Sequence, residues 1–137
     1  MTTASVVDDR LVLDHVLGRP VPTSLPLMTT YTWWWRLGTA LRRMGGGRLS
    51  RTAAVLPDDE RRLLLELVDR LPRRMEVPDP RELYGLAADL HHRFSLQLLA
   101  AEAAAMALMA GAEILVATDV PNLRRACVEL GVGYRVA

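Results

Sequence analysis

The sequence predicts an α/β fold in three layers, with helices on both faces of a central, mainly parallel sheet of about four strands. Three observations lead there. Short apolar runs alternate with stretches of helical periodicity, so that every pair of strand candidates is separated by a helix candidate. That order needs crossover connections and therefore parallel pairing. Half of the 137 residues are apolar and 24% are charged, the composition of a chain that can bury a core. Finally, Asp8-Asp9 and Thr118-Asp119 stand directly after two of the apolar runs, at the carboxyl ends of strands, where parallel sheets carry their functional crevice.

The elements follow in order. Ser5-Val6-Val7 is a short buried strand ending in carboxylates, and Arg10 to Leu17 is a short helix stopped by Gly18. Pro20, Pro22 and Pro26 make an irregular connection. Thr29 to Met44 is a helix, closed by Gly45-Gly46-Gly47. Pro57-Asp58-Asp59-Glu60 opens another, with proline in the first turn and acids at the positive end of the dipole. Leu64, Leu67, Val68 and Leu71 give it one apolar face, and Pro72 ends it. Arg74 to Val77 is a second strand. Asp79-Pro80-Arg81-Glu82 combines an N-cap, a proline and an acid in the order of a helix start, and Leu83, Leu86, Ala87 and Leu90 continue it. Leu96 to Ala110 is apolar nearly all round and so is a buried helix, closed by Gly111. Glu113 to Ala117 is the third strand. Pro121 opens the last helix, with Leu123, Ala126, Cys127 and Leu130 on one face, and Gly133 to Val136 is the final strand. Neither an internal repeat nor a dividing linker interrupts residues 1–137, which read as a single domain.

Several function classes are excluded or disfavoured by composition. One cysteine, Cys127, allows neither an internal disulfide nor a cysteine zinc site. His91 and His92 are adjacent and point apart on a helix, unlike a zinc-binding pair one turn apart. Gly45-Gly46-Gly47 lacks the following Lys-Ser/Thr of a phosphate loop. The N-terminus shows no secretory pattern, and the longest apolar run, interrupted by Glu102, is too short to span a bilayer; cytoplasm is the expected compartment. Net charge is +1, with 17 basic residues that are all arginine. GC-rich coding accounts for the arginine bias, but not for the absence of any Asp or Glu between His15 and Pro57.

Three acids could converge. Asp8 and Asp119 follow the first and third strands, and Glu102 lies on the helix that leads into the third. Three carboxylates form a hard-oxygen site suited to Mg²⁺ or Mn²⁺, and such ions can activate water against a phosphodiester. Asp9 is an alternate ligand to Asp8. Asp8 or Asp9 is equally placed to cap the first helix and Asp119 the last. Glu102 is the lone charge between Arg93 and Glu113, which leaves it either in the crevice or at a wet corner of its helix.

Two segments resemble PIN domains. Ser5-Val6-Val7-Asp8 looks like their first strand with its metal-binding Asp, and Leu98 to Asp119 looks like their C-terminal half. The resemblance implies a Mg²⁺- or Mn²⁺-dependent endoribonuclease, as in the toxin half of many bacterial toxin–antitoxin pairs, with Asp8, Glu102 and Asp119 as catalytic metal ligands. The acidic set is incomplete, because the family carries another acid on a helix after the first strand. Here that region is Thr30-Tyr31-Thr32-Trp33-Trp34-Trp35-Arg36. Glu102 also stands nearer Gly111 than the family's helix acid does, and Ala100 falls nearer that spacing.

Two features suggest partners. Trp33, Trp34 and Trp35 point about 100° apart on a helix, so one core-facing stripe cannot take all three, and tryptophan is favoured at interfaces. They are candidates for contact with a cognate protein or a second copy of the chain. Arg42, Arg43, Arg48 and Arg51, around the three glycines, form a basic arm able to follow an RNA backbone. The competing functions are therefore a ribonuclease, a PIN-like domain without catalysis that acts through protein contacts, and a small-ligand binder using the same crevice.

Overall fold

Val6 and Val7 are neighbours in sequence and both fully buried, yet they serve different cores. Strand side chains alternate between sheet faces, and a sheet buried on both sides needs apolar residues at every position. Ile114 and Val116 join Val6 on one face, while Leu115 joins Val7 on the other.

The computed structural model describes residues 2–43 and 47–137, with the side chains of Gly47 and Arg48 outside that description. Four strands, β1 (Ser5–Val7), β2 (Leu27–Met28), β3 (Glu113–Val116) and β4 (Tyr134–Val136), form one sheet in the order β2-β1-β3-β4. Every pairing is parallel, with Val7 opposite Leu115 and Val116 opposite Val136. The helices are α1 (Asp9–Val16), α2 (Tyr31–Arg42), α3 (Gly47–Ala54), α4 (Asp58–Asp69), α5 (Pro80–Phe94), α6 (Leu98–Ala110) and α7 (Pro121–Leu130). Helices α5, α6 and α7 cover one face, and α1 and α4 the other. Helix α2 serves both, through Trp33 on the first side and Leu37 and Leu41 on the second. The expected three-layer architecture is present, and β1 and β3 are neighbours at the centre of the sheet.

Two expectations are corrected. The second strand is Leu27–Met28, inside the stretch read as an irregular connection; Arg74 to Val77 supplies only a bridge from Glu76 to Met28. Pro26 closes the connection with its carbonyl accepting from Ser5 N at 2.9 Å, so proline costs the sheet nothing there. Beyond Glu76, Pro78 has no N–H with which to lengthen a ladder. The basic arm is also not an open loop. Its second half is α3, whose buried Ser50 donates to Ala40 O at 2.5 Å and whose Ala53 is buried. Gly45 and Gly46 lie outside the described residues.

Helix α6 carries the tightest packing, with Ala100 to Ala107 all buried. Small side chains let it sit between the sheet and α5. It ends at Gly111, whose φ of +65° is the left-handed conformation that closes helices. Thr3 Oγ1 ties that end to the N-terminus through Ala110 O at 2.8 Å. Among the described residues, no single helix is long and apolar enough to cross a membrane.

Candidate functional site

A cleft of about 660 Å³ opens at the carboxyl edge of the sheet. Asp8 and Asp9 from the end of β1, Arg36 from α2, and the N-terminal turns of α6 and α7 surround it. The parallel register brings the ends of β1 and β3 to one edge, as the sequence implies.

Asp8 is fully engaged by backbone. Its Oδ1 accepts from Leu11 N at 3.0 Å, which caps α1, and its Oδ2 accepts from Ala117 N at 2.8 Å, which ties β1 to the end of β3. Burial raises its pKa above the ordinary carboxylate value, against the two N–H donors and Arg36, which lower it. Asp9 is more buried still. Its Oδ1 accepts from Arg10 N at 2.9 Å, while its Oδ2 has no hydrogen-bond partner. Arg36 Nε stands 3.3 Å from that oxygen, close enough for an ion pair but off the hydrogen-bond direction. Burial raises the Asp9 pKa most; the Arg36 charge opposes the rise and Asp8 adds to it.

The other two acids stand elsewhere. Glu102 lines a separate cavity between α5 and α6, where its Oε2 accepts from Thr32 Oγ1 at 2.6 Å. The α6 residues that line the cleft are Leu99 and Ala100. Asp119 is held by Arg124 at 2.5 Å and accepts from the Tyr134 hydroxyl at 2.8 Å. Tyr134 Oη in turn accepts from Val120 N at 2.8 Å, so Asp119 fixes the start of α7. Among the described residues no three His, Cys, Asp or Glu side chains come together to hold a metal ion. A Mg²⁺ or Mn²⁺ ion wants several oxygen ligands; each Asp8 oxygen already accepts one backbone N–H, and the free oxygen of Asp9 faces an arginine. The structure does not bring Asp8, Glu102 and Asp119 together: Asp8 lines the cleft, Glu102 lines the cavity between α5 and α6, and Asp119 holds the start of α7.

The arginines and tryptophans divide similarly. Arg42 is paired with Asp69 through Nη2, at 2.7 and 2.8 Å, and donates from Nη1 to Gly38 O. Arg43 and Arg51 are exposed, and the Arg48 side chain lies outside the described residues. Trp33 is a core residue and Trp34 reaches across to α4, donating from Nε1 to Val68 O at 2.7 Å. Trp35, 59% exposed, is the tryptophan left facing outward. Sequence reasoning missed Arg36 as the cation beside the acids. The signal was present, since Arg36 is the charged residue nearest the centre of an acid-free stretch that had to pack near Asp8-Asp9.

No family model matches the chain, and no curated protein matches it. Among solved structures it is similar to VapBC-1 from nontypeable Haemophilus influenzae, determined at 2.2 Å resolution, with a TM-score of 0.53 and 11% identity over 97% of each chain. The fold is PIN-like: a parallel four-stranded sheet between two layers of helices.

Proposed function

We propose that residues 1–137 form one PIN-like domain that works in the cytoplasm by binding a protein partner, without metal-dependent catalysis. The observation that carries this is the Arg36–Asp9 pair, 3.3 Å apart in the cleft. The Arg36 guanidinium supplies positive charge beside Asp9, as a bound cation would, and it repels a second cation. The likeness to VapBC-1, and the resemblance to the toxin half of toxin–antitoxin pairs, supports a protein as the partner. The exposed Trp35 and Tyr31 on α2, with Arg43 and Arg51 nearby in the chain, offer it an aromatic and cationic surface.

A Mg²⁺- or Mn²⁺-dependent ribonuclease is the second reading. It is favoured by one observation: Asp8, Asp9 and Arg10 do line the cleft at the carboxyl edge. Calorimetric titration of the chain with MgCl₂ and MnCl₂ separates the two. The expected result is no saturable binding at millimolar metal, and no metal-dependent cleavage of RNA. Binding that is lost in Asp8→Asn, together with RNA cleavage, would overturn the binding-module proposal in favour of the nuclease.

A further inference from the structure

A second cavity, of about 430 Å³, lies between α5 and α6 and shares no lining residue with the carboxyl-edge cleft. Its walls are apolar, built from Pro80, Tyr84, Ala87, Leu98 and Ala101. Tyr84 and Leu98 are 75% and 61% exposed at its rim. Such volume and lining suit a small ligand or a single side chain.

Besides the Tyr84 hydroxyl, two polar side chains, Glu102 and His91, line the cavity. Glu102 is only 6% exposed, and its Oε1 has no hydrogen-bond partner, although Oε2 is held by Thr32. An unsatisfied buried acceptor costs about 1–3 kcal/mol, and the bond from Thr32 satisfies only one of the two Glu102 oxygens. His91 engages the Leu96 carbonyl through Nδ1. A carbonyl only accepts, so that contact places a ring proton on Nδ1. The unpartnered Glu102 oxygen is therefore the group of the cavity that asks for a donor.

We infer that this cavity binds an organic cation on an apolar stem, an alkylammonium or alkylguanidinium. The stem lies between Tyr84 and Leu98, and the charged head reaches the Glu102 carboxylate. A free amine and the side chain of a lysine or arginine present the same chemistry. The inference is independent of the partner-binding reading, since it uses neither the cleft nor α2's exposed aromatics.

Nitrogen–proton correlation spectra of the full chain, titrated with n-hexylammonium and with an acetylated, amidated lysine-centred tripeptide, test it. Saturable shifts of the Tyr84, Ala88 and Ala101 amides are expected from at least one cation. The tighter of the two identifies the source. n-Hexanol should bind about tenfold more weakly than n-hexylammonium, because it lacks the charge-assisted contact. Glu102→Gln should weaken the cation by a similar factor and leave n-hexanol unchanged. Tyr84→Ala, at an exposed position that leaves folding intact, should weaken both. Absence of saturable shifts from either cation would overturn the inference. So would equal binding of hexanol and hexylammonium that Glu102→Gln leaves unaltered.

Discussion

At Asp9 two forces oppose each other on one carboxylate. Burial disfavours its charge, while Arg36 favours it, and burial is the larger, so its pKa in the folded state is raised. A carboxylate with a raised pKa adds to stability while protonated. That contribution is full below the unfolded value, about 3.9, and is lost as pH rises through the folded value. Asn cannot ionise and loses nothing over that range. Asp9→Asn should therefore be more stable than the parent at pH 7, by roughly 1 kcal/mol, with the gain shrinking toward pH 4. Urea unfolding across that range measures it. A variant less stable than the parent at pH 7 would mean that the Arg36 pair outweighs burial. The residue scale is also where sequence reading reached its limit for the site. Asp8 could be placed because strand ends are visible in sequence. Glu102 could not, because α6 is apolar on nearly every side and offers no stripe that fixes its rotation. Ala100 and Glu102 are two residues apart and so about 200° apart around the helix; once Ala100 faces the cleft, Glu102 faces away from it.

Among the elements, α7 and β4 depend on one side chain. The Tyr134 hydroxyl donates to Asp119 Oδ1 and accepts from Val120 N, both at 2.8 Å. Val120 itself provides no side-chain cap for α7. Burial pushes the Tyr134 phenol up to about 12, the Val120 N–H opposing and the bond to Asp119 adding to the rise. Tyr134→Phe should cost about 1 kcal/mol of stability, partly recovered by water because the site is open on one side. Amide exchange should then be fastest at the first turn of α7. Unchanged exchange there would show that Pro121 and packing alone hold the helix start. Elements with strong local signals were legible in the sequence. Asp79 caps α5 by accepting from Arg81 N at 2.9 Å, and Gly111 and Gly131 close α6 and α7 with positive φ. Strand β2 was not legible, since its two residues pair through tertiary neighbours, with β1 on one side and Glu76 on the other. Helix α3 was hidden by arginines and glycines; its position rests on the tertiary contact of Ser50 with Ala40 O.

For the molecule as a whole, the open question is what covers α2. Its three tryptophans are separated by helical geometry into three environments: Trp33 in the core, Trp34 bonded to α4 with Tyr31 edge-on at 6.0 Å, and Trp35 outward. Part of the ambiguity of the sequence is thereby removed: Trp33 is core, Trp34 is half-buried at the wall of a surface recess, and Trp35 is the indole that faces outward. Trp35 adjoins Arg36 and lies one turn from Gly38, beside a surface recess that ends at the Arg42–Asp69 pair. A large exposed indole in such a recess is the kind of side chain that dominates an interface. Acrylamide should quench the Trp35 share of the fluorescence readily and spare Trp33. Trp35→Ala should leave folding stability within about 0.5 kcal/mol, as expected of a surface position. The same change should weaken self-association, or binding to a cognate protein, by at least about 1–2 kcal/mol. Sedimentation equilibrium of the parent and the variant, alone and with a candidate partner, reads the difference. Identical behaviour of the two chains, with Trp35 as open to acrylamide in concentrated as in dilute solution, would remove α2 from the interface and leave partner binding without its surface.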